Sequence, residues 1–266
     1  MTDHFAALGI GSSSVEERQQ QVRSILKESK PHSQRADSMT LRWHDPSGAE
    51  LWIYVDGTGT MKSVQPHFAG GPRIQLELQA ILERPEVSPY DGGFLGLTQI
   101  GGSNPSLGGG FPMVFDAPDF PDVKGAFLTA KHDVELAGFA VEFNVYSAEE
   151  AFREAQPDLK PLDVPAFLPA GMVAQVEGDQ PTAHALMVGR ALESERVTNQ
   201  LTGQDFIRIR METPAGPMDL IVDPGLVEDL PETGHIIQAG AWLSGRLNPE
   251  DDQIGSEDDG TDTVDE

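Results

Sequence analysis

Alternation of apolar and polar positions organises much of this chain. In residues 205–212, Ile207, Ile209 and Met211 fall on one side, and Phe206, Arg208 and Arg210 on the other. A period of two predicts a strand with one buried face. Residues 199–203 and 213–216 supply Asn, Pro and Gly where the chain must reverse, and each tolerates the backbone angles of a turn. Strands are therefore expected over 185–197, 205–212, 218–223 and 235–247. A second hairpin is expected over 40–55, turning at Asp45-Pro46-Ser47-Gly48. Ile74, Leu76 and Leu78 mark another strand, and Phe139, Val141, Phe143 and Val145 another still.

Helical signals are few. Ser14 and Glu17 have capping-box spacing and should open a helix ending near Lys27. Ser147 and Glu150 repeat that spacing before a short helix. Residues 31–38 read as a polar connection. Residues 156–171 carry Pro157, Pro161, Pro165 and Pro169. Proline cannot continue a helix or occupy a central strand, so a stiff connector and a domain boundary are expected here. The expected fold class is α+β and β-rich: two antiparallel β modules with few peripheral helices. The divisions are a capped helix with its linker (1–37), a first module (38–146), a short helix with the connector (147–171), a second module (172–247) and a disordered acidic tail (248–266). The strand series of the second module resembles an OB-like barrel, with residues 172–176 as a candidate fifth strand. A small two-sheet sandwich is the alternative.

Residues 85–125 stand apart. Glycines and prolines there are interleaved with Phe94, Leu97, Ile100, Phe111 and Phe120. Disordered linkers rarely carry so many large apolar groups, so an ordered loop or short edge strands are expected. These five residues are the candidate interaction surface.

Charge narrows the choice of partner. The 266 residues carry a formal charge of −25. Residues 250–266 hold nine acids and no base, leaving −16 on the remainder. Such a field repels nucleic acid and attracts basic partners. A single-strand or anion contact at Phe206, Arg208 and Arg210 is therefore disfavoured, with cross-strand ion pairing as the alternative. The absence of cysteine removes disulfides, thiol chemistry and Cys-based zinc sites. No apolar run reaches membrane-spanning length. The first residues lack a basic start and an apolar core of signal-peptide length, so a cytoplasmic protein is expected.

No motif for catalysis, phosphate binding or metal binding is complete. The seven histidines form no close ligand spacing. Gly9-Ile10-Gly11 and Gly108-Gly109-Gly110 lack the register of a phosphate loop. Asp116, Asp119 and Asp122 crowd one proline-rich loop, but without the spacing of a calcium loop. Buried packing is expected for Trp43, Trp52 and Trp242. No cofactor, metal or catalytic residue is assigned. The expected function is a non-catalytic interaction or adaptor protein with an acidic surface and a protein partner, a basic one being what that charge attracts. The alternatives are a hydrolase with a dispersed site drawn from His67, His132, Asp91, Asp116 and Asp119, or ligand binding in a barrel mouth.

Overall fold

The structure, a computed structural model, describes residues 4–12, 14–84, 88–98, 110–125, 128, 130–159, 162–173 and 180–247. Ile100, the acidic tail and residues 174–176 lie outside that set. The chain begins with a short 3-10 turn (Ala6–Leu8) and helix α1 (Val15–Glu28). The Glu17 amide donates to Ser14 Oγ at 3.1 Å, as the capping spacing requires.

Four strands follow in sequence order as one antiparallel sheet: β1 (Lys30–Gln34), β2 (Ser38–His44), β3 (Ala49–Asp56) and β4 (Met61–Phe68). The stretch expected to be a polar connection is thus partly a strand. Its side chains are mostly exposed; backbone pairing and the edge-on contact of His32 with Trp52 at 4.6 Å hold it at the edge, so no alternation betrays it. The β2–β3 turn falls at the expected residues. Gly48 has φ +92°, and its amide donates to the Asp45 carbonyl at 2.9 Å.

The remaining strands form one mixed sheet of nine. They are β5 (Arg73–Glu83), β6 (Gly92–Thr98), β7 (Pro112–Asp116), β8 (Lys131–Tyr146), β9 (Ala166–Leu168), β10 (His184–Thr198), β11 (Asp205–Thr213), β12 (Gly216–Val222) and β13 (Ile236–Arg246). Three short helices interrupt the series: α2 (Phe120–Val123), α3 (Glu149–Ala155) and α4 (Ala170–Val173). The α3 cap differs from expectation. Ala148 is its N-cap and no side chain caps it.

A ribbon of β8 and β13 is the spine of this sheet. It pairs antiparallel from Glu135↔Arg246 to Ile236↔Tyr146. On the outer edge of β8, β5 pairs with residues 131–135 and β12 with residues 137–139. On the outer edge of β13, β10 pairs with residues 236–242, and Ser244 meets Asp116 of β7. The sheet therefore closes twice along one ribbon. One ring runs β8-β5-β6-β7-β13, the other β8-β12-β11-β10-β13.

The second ring is the closed module that the strand series resembles, and it has the five strands of an OB-like barrel. Its fifth strand is β8, from before the proline-rich connector. Residues Ala170–Val173 are helical instead. Long β10 bends to serve both β13 and β11, pairing with the first up to Arg190 and with the second from Ala191. Gly189 lies at that bend. A Cβ there would stand 1.9 Å from the Glu212 carbonyl oxygen, so only glycine allows the close approach.

One apolar core fills both rings. It joins Ile74, Leu76, Phe94 and Phe115 to Met187, Ile207, Ile209 and Leu220. Full burial of each such side chain stabilises the fold by about 1.5–3 kcal/mol. The two faces of the four-stranded sheet are unlike. Trp43, Leu51 and Ile53 belong to a second core with Leu8 and Ile25 of the N-terminal segment. The opposite face is polar and aromatic. It meets the first ring, and chemistry concentrates at that seam.

Candidate functional site

Strand alternation assembles the seam. Glu50, Trp52 and Tyr54 share one face of β3. Register places His44, Arg42 and Thr40 of β2 opposite them, and His67 of β4 opposite Glu50. From the barrel side come Ser244 and Arg246 of β13, Glu135 of β8, and Asp119 ahead of α2. Glu50, His67 and Ser244 are fully buried, and Arg246 is only 2% exposed.

Each charge is answered, though unevenly. Glu50 accepts from Arg42 Nε at 3.0 Å and Trp52 Nε1 at 3.0 Å, and contacts His44 Nδ1 at 3.0 Å. Burial pushes its carboxyl up, but the His44 contact and the charges of His67, Arg42 and Arg246 outweigh that and hold it well below the usual range. Burial likewise pushes Glu135 up. The His67 ring, the Gly70 amide at 2.6 Å and Arg246 bring it below its ordinary value. The Arg246 guanidinium lies 4.7 Å above the Trp52 ring, a desolvated cation–π contact. Asp119 is the exception. Arg246 Nε stands 3.9 Å from it, and its Oδ1 has no hydrogen-bond partner. Burial pushes Asp119 up to about 7, opposed by Arg246 and reinforced by Asp122 and Glu50.

Ser244, His67 and Glu135 form a hydroxyl–imidazole–carboxylate series. Ser244 Oγ is 2.9 Å from His67 Nδ1, and His67 Nε2 is 3.7 Å from Glu135. The Ser244 hydroxyl also reaches the Pro66 carbonyl at 3.2 Å, so its one proton is shared between two buried neighbours. The four clefts described in the molecule are lined by none of these residues. The seam joins the sheet to the barrel through buried hydrogen bonds, the His67–Glu135 contact and the Arg246–Trp52 stack.

The residues singled out from sequence disperse. Asp116 accepts from Arg84 at 2.6 Å and Trp242 Nε1 at 2.7 Å. Asp122 is held by Arg35 and Thr40, and Asp119 faces Arg246. The three aspartates thus have three different cations. Among the described residues no group of three His, Asp or Glu could hold a metal. Asp91 accepts from Ser63 Oγ at 2.5 Å, and His132 lies on β8 opposite Leu76. Of the proposed dispersed set, only His67 and Asp119 reach the seam.

The candidate interaction surface requires correction. Phe94 and Phe120 are buried, packed against each other with ring centroids 6.0 Å apart. Phe111 is half-buried against Phe167 at 5.2 Å. Leu97 is exposed at the far side of β6. Closing the first ring turns these aromatics inward, so they form core and no continuous patch. Phe206 is also buried. Arg210 grips Asp219 at 3.0 and 3.2 Å, while Arg208 bonds Glu195 at 2.5 Å and Glu193 at 3.0 Å. Cross-strand ion pairing occupies both cations. All three tryptophans are buried.

Open clefts lie elsewhere. One of about 420 Å³ opens where β12 leaves β8. The last pair joining those strands is Ile221↔Phe139, after which β8 runs on to Tyr146 and the chain turns away through Pro224–Leu226. Phe143, Asn144 and Val145 form one wall. Leu226, Val227, Glu228, Asp229, Leu230, Pro231 and His235 form the other. Val145, Leu226 and Leu230 are each more than a third exposed. Between the strands expected over 218–223 and 235–247, residues 224–234 carry no alternation to mark a site. The available signal was Leu226, Val227 and Leu230 beside Glu228 and Asp229 in a segment without strand alternation.

Comparison with protein-family models, with curated proteins and with solved structures finds no match for this chain.

Proposed function

We propose that this is a non-catalytic cytoplasmic interaction protein that takes a basic, apolar-containing segment of a protein partner into the cleft between β8 and residues 226–231. The carrying observation is the lining itself: apolar side chains mixed with Asn144 and His235, exposed Glu228 and Asp229, and no lysine or arginine among the lining residues. The apolar side chains can hold the stems of long cations while the carboxylates meet their charged ends. Rim carboxylates and an overall charge of −25 favour a basic partner and speed its encounter. The cleft volume falls within the range of built binding sites, about 300–1,000 Å³. No helix among the described residues is long and apolar enough to cross a membrane.

The test is selection from a displayed library of random ten-residue peptides at 0.1 M salt. Enriched peptides should combine Lys or Arg with a large apolar residue. Binding should fall at least tenfold for Leu230→Asp and for the double change Glu228→Lys, Asp229→Lys. Failure to enrich any sequence, or enrichment that both variants leave intact, would overturn the proposal.

A further inference from the structure

A second groove, on the opposite face of the four-stranded sheet, has a different chemistry. It lies between α1 and β3–β4 and has a volume of about 240 Å³. Phe5, Ile10, Val22, Ile25, Leu51, Ile53, Met61 and Val64 line it, with only Arg18 and Gln21 polar. Met61 is 45% exposed at its end. The Gln21 amide is committed to the Gly11 carbonyl at 3.1 Å. Arg18 is exposed; its Nε donates to Ser12 Oγ at 3.0 Å, and it forms no ion pair among the described residues. The groove is therefore an apolar trough with one uncompensated cation at its mouth.

We infer that this groove binds a free, unbranched carboxylate of medium chain length, its chain along the trough and its head group on Arg18. Three observations select this ligand. Apart from Arg18 at the mouth and Gln21, whose amide nitrogen is engaged, the lining offers no hydrogen-bonding side chain to a polar chain. The volume lies below that of sites enclosing drug-sized molecules, which favours one chain over a ring system. The single charge at the mouth is positive and has the planar fork that fits a carboxylate. The wider negative field of the protein does not settle the matter. Screening confines it to about 8 Å at physiological salt, and α1 itself is balanced, with Glu16, Glu17 and Glu28 against Arg18, Arg23 and Lys27.

The experiment is isothermal titration of the full chain with octanoate, decanoate and dodecanoate, each kept monomeric, beside decylamine and decanol. Affinity should rise about fourfold per added CH₂ until the trough is full, then level. Decanoate should bind at least tenfold better than decylamine. Arg18→Glu should abolish that preference, and Val64→Phe should weaken decanoate at least tenfold. Val22→Phe, which fills the trough from the helix side, is the second variant should Val64→Phe fail to fold. Leu230→Asp in the other cleft should change nothing, which separates this site from the proposed partner site. No binding of any carboxylate at 1 mM, or equal affinity in the filled and wild-type proteins, would overturn the inference. So would sedimentation with phosphatidylglycerol vesicles without binding of monomeric decanoate.

Discussion

The seam and the acidic cleft are opposites. The seam gathers the residue types that chemistry uses, a histidine, a serine, three carboxylates and an arginine, and buries them. The cleft gathers leucine, valine, phenylalanine and proline beside Asn144, His235 and two acids, and opens to water. Residue type alone would rank the seam first as a site. Burial reverses that order, since none of the four described clefts is lined by the seam residues. Buried charges must be paired to be tolerated, and the seam follows that rule, with Asp119 as its weak point. A surface that binds needs access, and the cleft has it.

The two regions should respond to mutation in opposite ways. Arg246→Met should have the largest effect, because Glu135, Asp119 and Glu50 would lose a shared buried cation. A loss of about 3–5 kcal/mol is expected in urea unfolding; a loss under 1 kcal/mol would mean that the seam is wetter than described. Next comes Gly189→Ala, whose new methyl group would meet the Glu212 carbonyl. Roughly 1–3 kcal/mol should be lost as β10 straightens, with lowered amide-exchange protection in β10 and β11. A third measurement concerns pH. Asp119 is raised in the fold to about 7 from 3.8, so above pH 4 the unfolded chain releases a proton that the fold retains. Its contribution to stability thus falls as pH rises from about 4 through 7. Relative to Asp119→Asn, the wild type should lose about 2 kcal/mol between pH 5 and 7.5. Equal pH slopes for the two proteins would show that Asp119 is ionised and solvated. The smallest stability effect belongs to the cleft. Leu230→Asp and Glu228→Lys should change stability by at most about 0.5 kcal/mol, and their effect should appear in peptide binding alone.

Local structure was legible where local rules govern it. The hairpin turning at Gly48, the strand through Ile207, Ile209 and Met211, and the Ser14 cap were all readable, because turn chemistry and alternation act over a few residues. The β8–β13 ribbon was not, because its strands are separated by most of the second half of the chain. Without that ribbon, Phe94 and Phe120 read as a surface. The seam left a faint signal. Glu50 alternates in phase with Trp52 and Tyr54, and Ser244 and Arg246 with Trp242. Polar residues in step with tryptophan on a strand mark a face that is both buried and hydrogen-bonded. Asp119 left none, since a proline-rich loop has no period.

The shared ribbon also sets an order of events during synthesis. Both rings need β13, which ends at Arg246. Until the ribosome has passed that residue, β5 to β8 remain an open sheet with unpaired edges, and β10 to β12 a meander that cannot close. The two rings therefore close only after Arg246 has been made. Pairing across such long sequence separation is slow and leaves intermediates exposed to aggregation. A truncation before Ile236 would open both rings at once, so β13 is the latch for the whole barrel pair.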